Sequence, residues 1–201
     1  MSSFTTPHVE GQGVTSQGVP ILVEPGVEFA TPELQLVLKL WNEKRGNRQF
    51  PARADFSMRD LKTVLRNLVF MESTESSDGY RFFVRYMGSE LDNQLMPMTG
   101  HFADEVLPEY FKKKWQAVWS KAMASQVPVR SLARAEFRAR RYLCVEGFYA
   151  PLSDGGNVAN MLMAVVYYHE IESSDLKTRQ IAEQLQAQFD CKNSMREIIG
   201  A

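Results

Sequence analysis

The chain has 201 residues, 44% of them hydrophobic and 11% aromatic, which is enough for one core of ordinary domain size with residues left over. Lys and Arg number 23 against 24 Asp and Glu, a formal charge of -1, which argues against a polyanion or an anionic membrane as the main partner. The two cysteines, Cys144 and Cys191, stand outside any CxxC or Cys/His pattern, the N-terminus has no secretory leader pattern, and no apolar run reaches the roughly 18 residues of a membrane span. These features predict a soluble cytoplasmic protein with reduced thiols and no metal site.

Residues 1–31 are rich in Gly, Ser, Thr, Val and Pro and read as a flexible arm, within which Val19-Pro20-Ile21-Leu22-Val23 is apolar enough to dock as an edge strand. Thr31-Pro32-Glu33 then supplies an N-cap, a proline at the first helical position and an early acid. Leu34, Val37, Leu38 and Trp41 follow at helical spacing, so a helix runs from Pro32 to about Lys44 and stops at Gly46. Phe50 to Asp55 is an extended linker, because the residue before Pro51 avoids the α region. Ser57 is expected to cap a second short helix, Met58 to about Arg66.

The period then changes to two. Leu68–Glu72 and Tyr80–Met87 form a hairpin, with Tyr80, Phe82, Val84 and Tyr86 on one face and Arg81 and Arg85 on the other. From Ser89 to Met123 the pattern is helical, broken at Pro97, Gly100 and Pro108, with one long helix around Phe111, Trp115, Val118, Trp119 and Ala122. Three strands are expected next: Val129 to about Arg138, Arg141 to Leu152, and Val158 to His169, the last two joined through Asp154-Gly155-Gly156-Asn157. Ile181, Leu185 and Phe189 then mark a C-terminal amphipathic helix. The expected class is α+β: a five-stranded antiparallel sheet with helices on one face, plus N- and C-terminal helices. The expected divisions are an arm over 1–31, a domain over 32–170 and a C-terminal helix over 171–201.

This order of two strands, short helices, a long helix and three antiparallel strands resembles the PAS fold. The similarity is closer to one bacterial family of stand-alone PAS proteins formerly described as a domain of unknown function. It rests on Leu40-Trp41, on Gly46-Asn47-Arg48-Gln49-Phe50-Pro51-Ala52-Arg53-Ala54-Asp55, on Arg85-Tyr86-Met87-Gly88 and on Met98-Thr99-Gly100. Glu146 to Gly156 continues it, so that roughly Glu33 to Glu170 is covered. The chain departs from the pattern at His101, where similar sequences carry a basic residue, and at Gly147-Phe148-Tyr149-Ala150, where they carry aliphatic ones. The resemblance implies a sensory or regulatory module in signalling that acts through a small ligand, a protein partner, or both.

In a PAS-like arrangement a cavity lies between the sheet and the short helices, which makes Tyr86, Met96, Phe102, Trp115, Phe137 and Phe148 candidates to line it. The alternative is that these side chains only fill the core. His101 stands where PAS-type haem proteins can place an axial imidazole, although a lone histidine is more often an ordinary polar residue; no cofactor is assigned. Arg53 and Asp55 are expected to form a structural salt bridge with Glu146, with anion recognition by Arg53 as the alternative. Cys144 reads as a small buried hydrophobe.

Arg130, Arg134, Arg138 and Arg140 share one strand face with Glu136 and read as a solvated or partner-facing surface, since nothing else in the chain suggests nucleic acid. Leu34, Leu38 and Trp41 are expected to form the interface of a homodimer or of a complex with a separate signalling protein. No nucleophile, base and orienting group stand at catalytic spacing. The runner-up function is an enzyme using Glu146, Tyr86 or His101 for acid/base work.

Overall fold

The structure is a computed structural model and describes residues 22–25, 28–76, 79–137 and 140–199. The sheet is antiparallel throughout. Its strands are β1 (Leu22–Pro25), β2 (Leu68–Ser76), β3 (Gly79–Met87), β4 (Val129–Phe137), β5 (Arg140–Leu152) and β6 (Met161–Glu170), in the spatial order β1-β4-β5-β6-β2-β3. The five expected strands are all present. The sixth is the part of the Val19–Val23 run that falls within the described residues, extended to Pro25 and paired with the outer edge of β4; the rest of the expected arm up to residue 21 lies outside them.

The helices are α1 (Pro32–Arg45), α2 (Ser89–Gln94), α3 (Ala103–Val106), α4 (Glu109–Ser125) and α5 (Leu176–Ile199). Strand period two divides their cores between the two faces of the sheet. Val69, Met71, Val145, Tyr149, Leu162, Ala164 and Val166 turn toward α2, α3 and α4. Their chain neighbours Leu68, Phe70, Phe148, Ala150, Met163 and Val165 turn the other way and pack on α1. On that same second face, toward β4, Leu132 and Cys144 meet Leu185 and Phe189 of α5.

Three local readings of the sequence are corrected. The segment after Ser57 is not an α-helix: Asp60, Lys62, Val64 and Asn67 donate to residues three before them, and a 3-10 turn closes at Leu65–Asn67. The three-residue spacing of Leu61 and Val64, both buried against α1, suits these tighter turns. Ser57 and Asp60 still cap each other reciprocally, the Ser57 N–H donating to Asp60 Oδ2 and the Asp60 N–H to Ser57 Oγ.

The second correction is in the β2–β3 hairpin, where the register shifts so that Phe70 faces Tyr86 and Met71 faces Val84, leaving Arg85 as the extra residue of a bulge. The bulge reverses the phase of the strand. Phe82 and Val84 stay on the α4 side, whereas Tyr86 packs on the α1 side and donates its hydroxyl to Leu65 O at 3.0 Å.

Third, Leu34, Leu38 and Trp41 do not form an outward apolar face. They are 0%, 9% and 1% exposed, lie against the chain's own sheet, and the Trp41 indole donates to Pro151 O at 3.1 Å. The amphipathic stripe of α1 has a sheet in its own chain to cover.

Candidate functional site

Between the sheet and α2–α4 lies an apolar cavity of about 30 Å³. A single water fills roughly 10–15 Å³, so the space exceeds a single water site. Three methionines (Met71, Met87, Met98), two tryptophans (Trp115, Trp119) and two tyrosines (Tyr149, Tyr168) supply much of its wall. Unbranched thioether side chains repack at low cost, so this wall can adapt its shape. Tyr149 and Tyr168 are held protonated by burial, which drives both phenols above their ordinary range. Ser131 Oγ lies 3.4 Å from the Tyr149 hydroxyl, to which it donates.

Of the residues expected to line this space, Trp115 does so. Met96 is half-buried and packs on the same core without reaching the cavity. Phe148 is excluded by strand parity: it lies beside Tyr149 on β5 and faces α1, 5.9 Å from Phe29. Tyr86 is excluded by the bulge. Phe102 sits at the edge of β3, in edge contact with Phe83 at 5.2 Å and beneath the Arg81 guanidinium at 4.1 Å. His101 is exposed, its carbonyl accepting from the Val84 N–H, and it does not line the cavity. The Phe137 side chain lies outside the described residues. Among the described residues no cluster of three or more His, Cys, Asp or Glu is placed to hold a metal ion.

Sequence reasoning missed Trp119, Tyr149 and Tyr168. A signal existed for Trp119, which follows Trp115 by four residues and therefore shares its helical face. For the tyrosines nothing local decides which strand phase faces the cavity.

The second organised feature is a buried polar cluster on the opposite face, centred on Glu146, which is 0% exposed. Glu146 is not paired with Arg53 or Asp55. Its partner is Arg130, whose Nε and Nη2 lie 2.6 and 2.5 Å from Oε1. The Ala30 and Thr31 N–H groups donate to Oε1 and Oε2 at 3.1 and 2.8 Å. Arg130 Nη2 also donates to Gln188 Oε1 on α5 at 2.8 Å, and Thr31 Oγ1 lies 2.8 Å from His169 Nε2 on β6. One carboxylate thus ties together the segment before α1, β4 and α5. A buried charge is tolerable here because its lone pairs are well supplied with donors.

Arg53 instead stacks on Phe70 at 4.1 Å and donates to Phe56 O, while Asp55 caps the Ala52 N–H and pairs with Arg48 at 2.6 Å. Arg134 stands four positions after Arg130 on the same strand face, and both turn toward α5: Arg134 contacts Asp190 and lies 4.9 Å over Phe189. The expected open arginine face is therefore covered at these two positions; Arg138 and the Arg140 side chain lie outside the described residues. No helix among the described residues is long and apolar enough to cross a membrane.

The sheet order, the helices α2–α4 over one face and the apolar cavity beneath them define a PAS-type α+β module. A family model described as a PAS domain matches residues 30–167, and the chain belongs to that family. Among solved structures it is similar to that of an RNA-binding light-oxygen-voltage receptor, with 11% identity and a TM-score of 0.45. That match covers 86% of this chain and 43% of the receptor chain, so this chain spans less than half the length of that one. No curated protein matches the chain.

Proposed function

We propose that this chain is a regulatory PAS module that responds to a small, largely apolar molecule lodged between the sheet and α2–α4, and that it passes the response to a separate signalling protein. The observation that carries this reading is the apolar cavity walled by Met71, Met87, Met98, Trp115 and Trp119. A concave apolar space with few polar groups is the usual form of a small-molecule site. Transmission has a physical path. β5 presents Tyr149 to the cavity and, three residues earlier, Glu146 to the cluster that holds the segment before α1 and, through Arg130, α5.

An output through Leu34, Leu38 and Trp41 is not part of this proposal, because those side chains belong to the core. The enzyme reading draws no support from geometry. Glu146 is engaged by Arg130, Tyr86 by Leu65 O, and His101 is at the surface, so the three do not converge on one space.

The test is a native mass spectrum of freshly purified protein together with titration of [13C-methyl]methionine-labelled protein with cyclopentanone, a small apolar probe. A co-purifying mass released on denaturation, or saturable shifts of the Met71, Met87 and Met98 methyls, supports the reading. A bare chain whose methyl signals ignore the probe rejects it.

A further inference from the structure

Gly147 stands within β5, a central strand, where a glycine has no side chain to pack and weakens the strand. Its backbone does not demand a glycine, since its φ lies outside the left-handed region. The space above it does. A Cβ at this position would lie 2.5 Å from the Tyr149 hydroxyl oxygen, 2.6 Å from Cε2 and 2.8 Å from Cζ. Residues two apart share a strand face, so the Tyr149 ring lies back along its own strand, with its far end over Gly147.

The neighbouring strands show which way the ring leans. β5 runs between β4 and β6. On β4, Ser131 stands opposite Gly147, and its Oγ is 3.4 Å from the Tyr149 hydroxyl. On β6, Ala164 stands opposite Tyr149, with Val69 of β2 beyond it, and all three border the cavity. Gly147 and Ser131 do not border it. Tyr149 therefore has a small residue on either side, and its ring takes the Gly147–Ser131 side, which leaves the space over Ala164 open.

From this arrangement, and resting on the cavity reading above, we infer that Gly147 sets the capacity of the ligand site. By carrying no Cβ it lets Tyr149 lie toward β4 and keeps the space over Ala164 for a small apolar molecule, which packs on the Ala164 methyl and the Tyr149 ring. A side chain at position 147 meets the outer atoms of that ring and not a backbone wall, so the ring yields by turning about its χ angles. The cavity is the open space the ring borders, and the turned ring fills it.

Cyclopentanone is titrated into methionine-methyl-labelled wild type, Gly147→Ala, Tyr149→Leu and the double variant. Leucine lacks the Cε2, Cζ and hydroxyl atoms that the new Cβ would meet. Gly147→Ala is expected to weaken binding about tenfold or more, as overpacking by one methyl group does. In the Tyr149→Leu background the same substitution should cause no weakening. In the probe-bound wild type, nuclear Overhauser contacts should join cyclopentanone to the Ala164 methyl and the Tyr149 ring to the Gly147 α-protons.

Unchanged affinity in Gly147→Ala, or an equal loss with and without the tyrosine, overturns the inference and leaves the cavity reading standing. So does a wild-type Tyr149 ring found against the Ala164 methyl. Wild-type methionine methyls that ignore the probe overturn the two together. The wild-type contacts decide the matter even if Gly147→Ala folds poorly.

Discussion

Replacing Glu146 by leucine leaves the Arg130 guanidinium, 7% exposed, without its counter-ion, and strips the acceptor from the Ala30 and Thr31 N–H groups. Removing one member of a buried ion pair costs about 3–5 kcal/mol. With a urea m-value on the order of 2 kcal/mol/M, that lowers the unfolding midpoint by about 1.5–2.5 M. The double variant Arg130→Met, Glu146→Leu removes the guanidinium that Glu146 had neutralised but not the two orphaned N–H groups. It should be more stable than Glu146→Leu alone, yet still below wild type by about 1–3 kcal/mol. Urea unfolding followed by far-UV circular dichroism at pH 7.5 measures all three proteins. Amide exchange in both variants should rise at residues 28–31 and in α5 together, since both ends hang on the same carboxylate through direct and Arg130-mediated bonds. A midpoint for Glu146→Leu within 0.5 M (roughly 1 kcal/mol) of wild type, or a double variant less stable than the single one, refutes this account of the cluster.

Burial holds the His169 imidazole below its ordinary value of 6.5, against the opposing pull of Glu146 and Glu33. The unfolded chain therefore takes up this proton first, and stability that is complete above about pH 7 declines as the pH falls through 6.5 toward the lower folded value. Urea midpoints at pH 7.5 and 5.5 should show this decline, and His169→Gln should reduce it; an identical decline in the variant excludes His169 as its source. The Cys144 thiol, pushed up to about 11 chiefly by burial and with Sγ 3.8 Å from Gln186 Oε1, should be inert to Ellman's reagent at pH 8 in a Cys191→Ser background until urea unfolds the chain. Rapid stoichiometric labelling of the folded protein is the contrary result. A Cβ on Gly88 would fall within the Leu65 and Arg66 carbonyls, so Gly88→Ala should cost about 1–3 kcal/mol or more in the same urea assay. A neutral effect would show that the 3-10 turn yields freely.

Much of the fold was legible because it depends on local periodicity. The alternation in Val129–Phe137 and Arg140–Leu152, the helical stripe through Leu34, Val37, Leu38 and Trp41, and the turn residues between β5 and β6 each express a preference within a few residues. The Ser57 segment failed this test because the same apolar spacing serves a 3-10 turn as well as an α-helix, and its bonds run three residues back.

The site was legible only in outline. Trp115 could be placed by helical phase, but Tyr86 and Phe148 could not be placed by strand phase. A single bulge at Arg85 inverts one strand, and nothing within β5 distinguishes the cavity face of Tyr149 from the α1 face of Phe148. The same holds for charge. Glu146 was recognisable as a buried acid that secures the segment near α1, but its partner was set by the β4–β5 register, which places Leu132 opposite Glu146 and brings Arg130, two residues along the same strand face, to its carboxylate. The sequence by itself determined most of the elements and their order, since these follow from short-range pattern, and it carried the motifs by which it resembles PAS proteins. Which face each side chain serves, and which charge meets which, was decided by tertiary structure, because register and bulges are fixed only when strands distant in the chain come together.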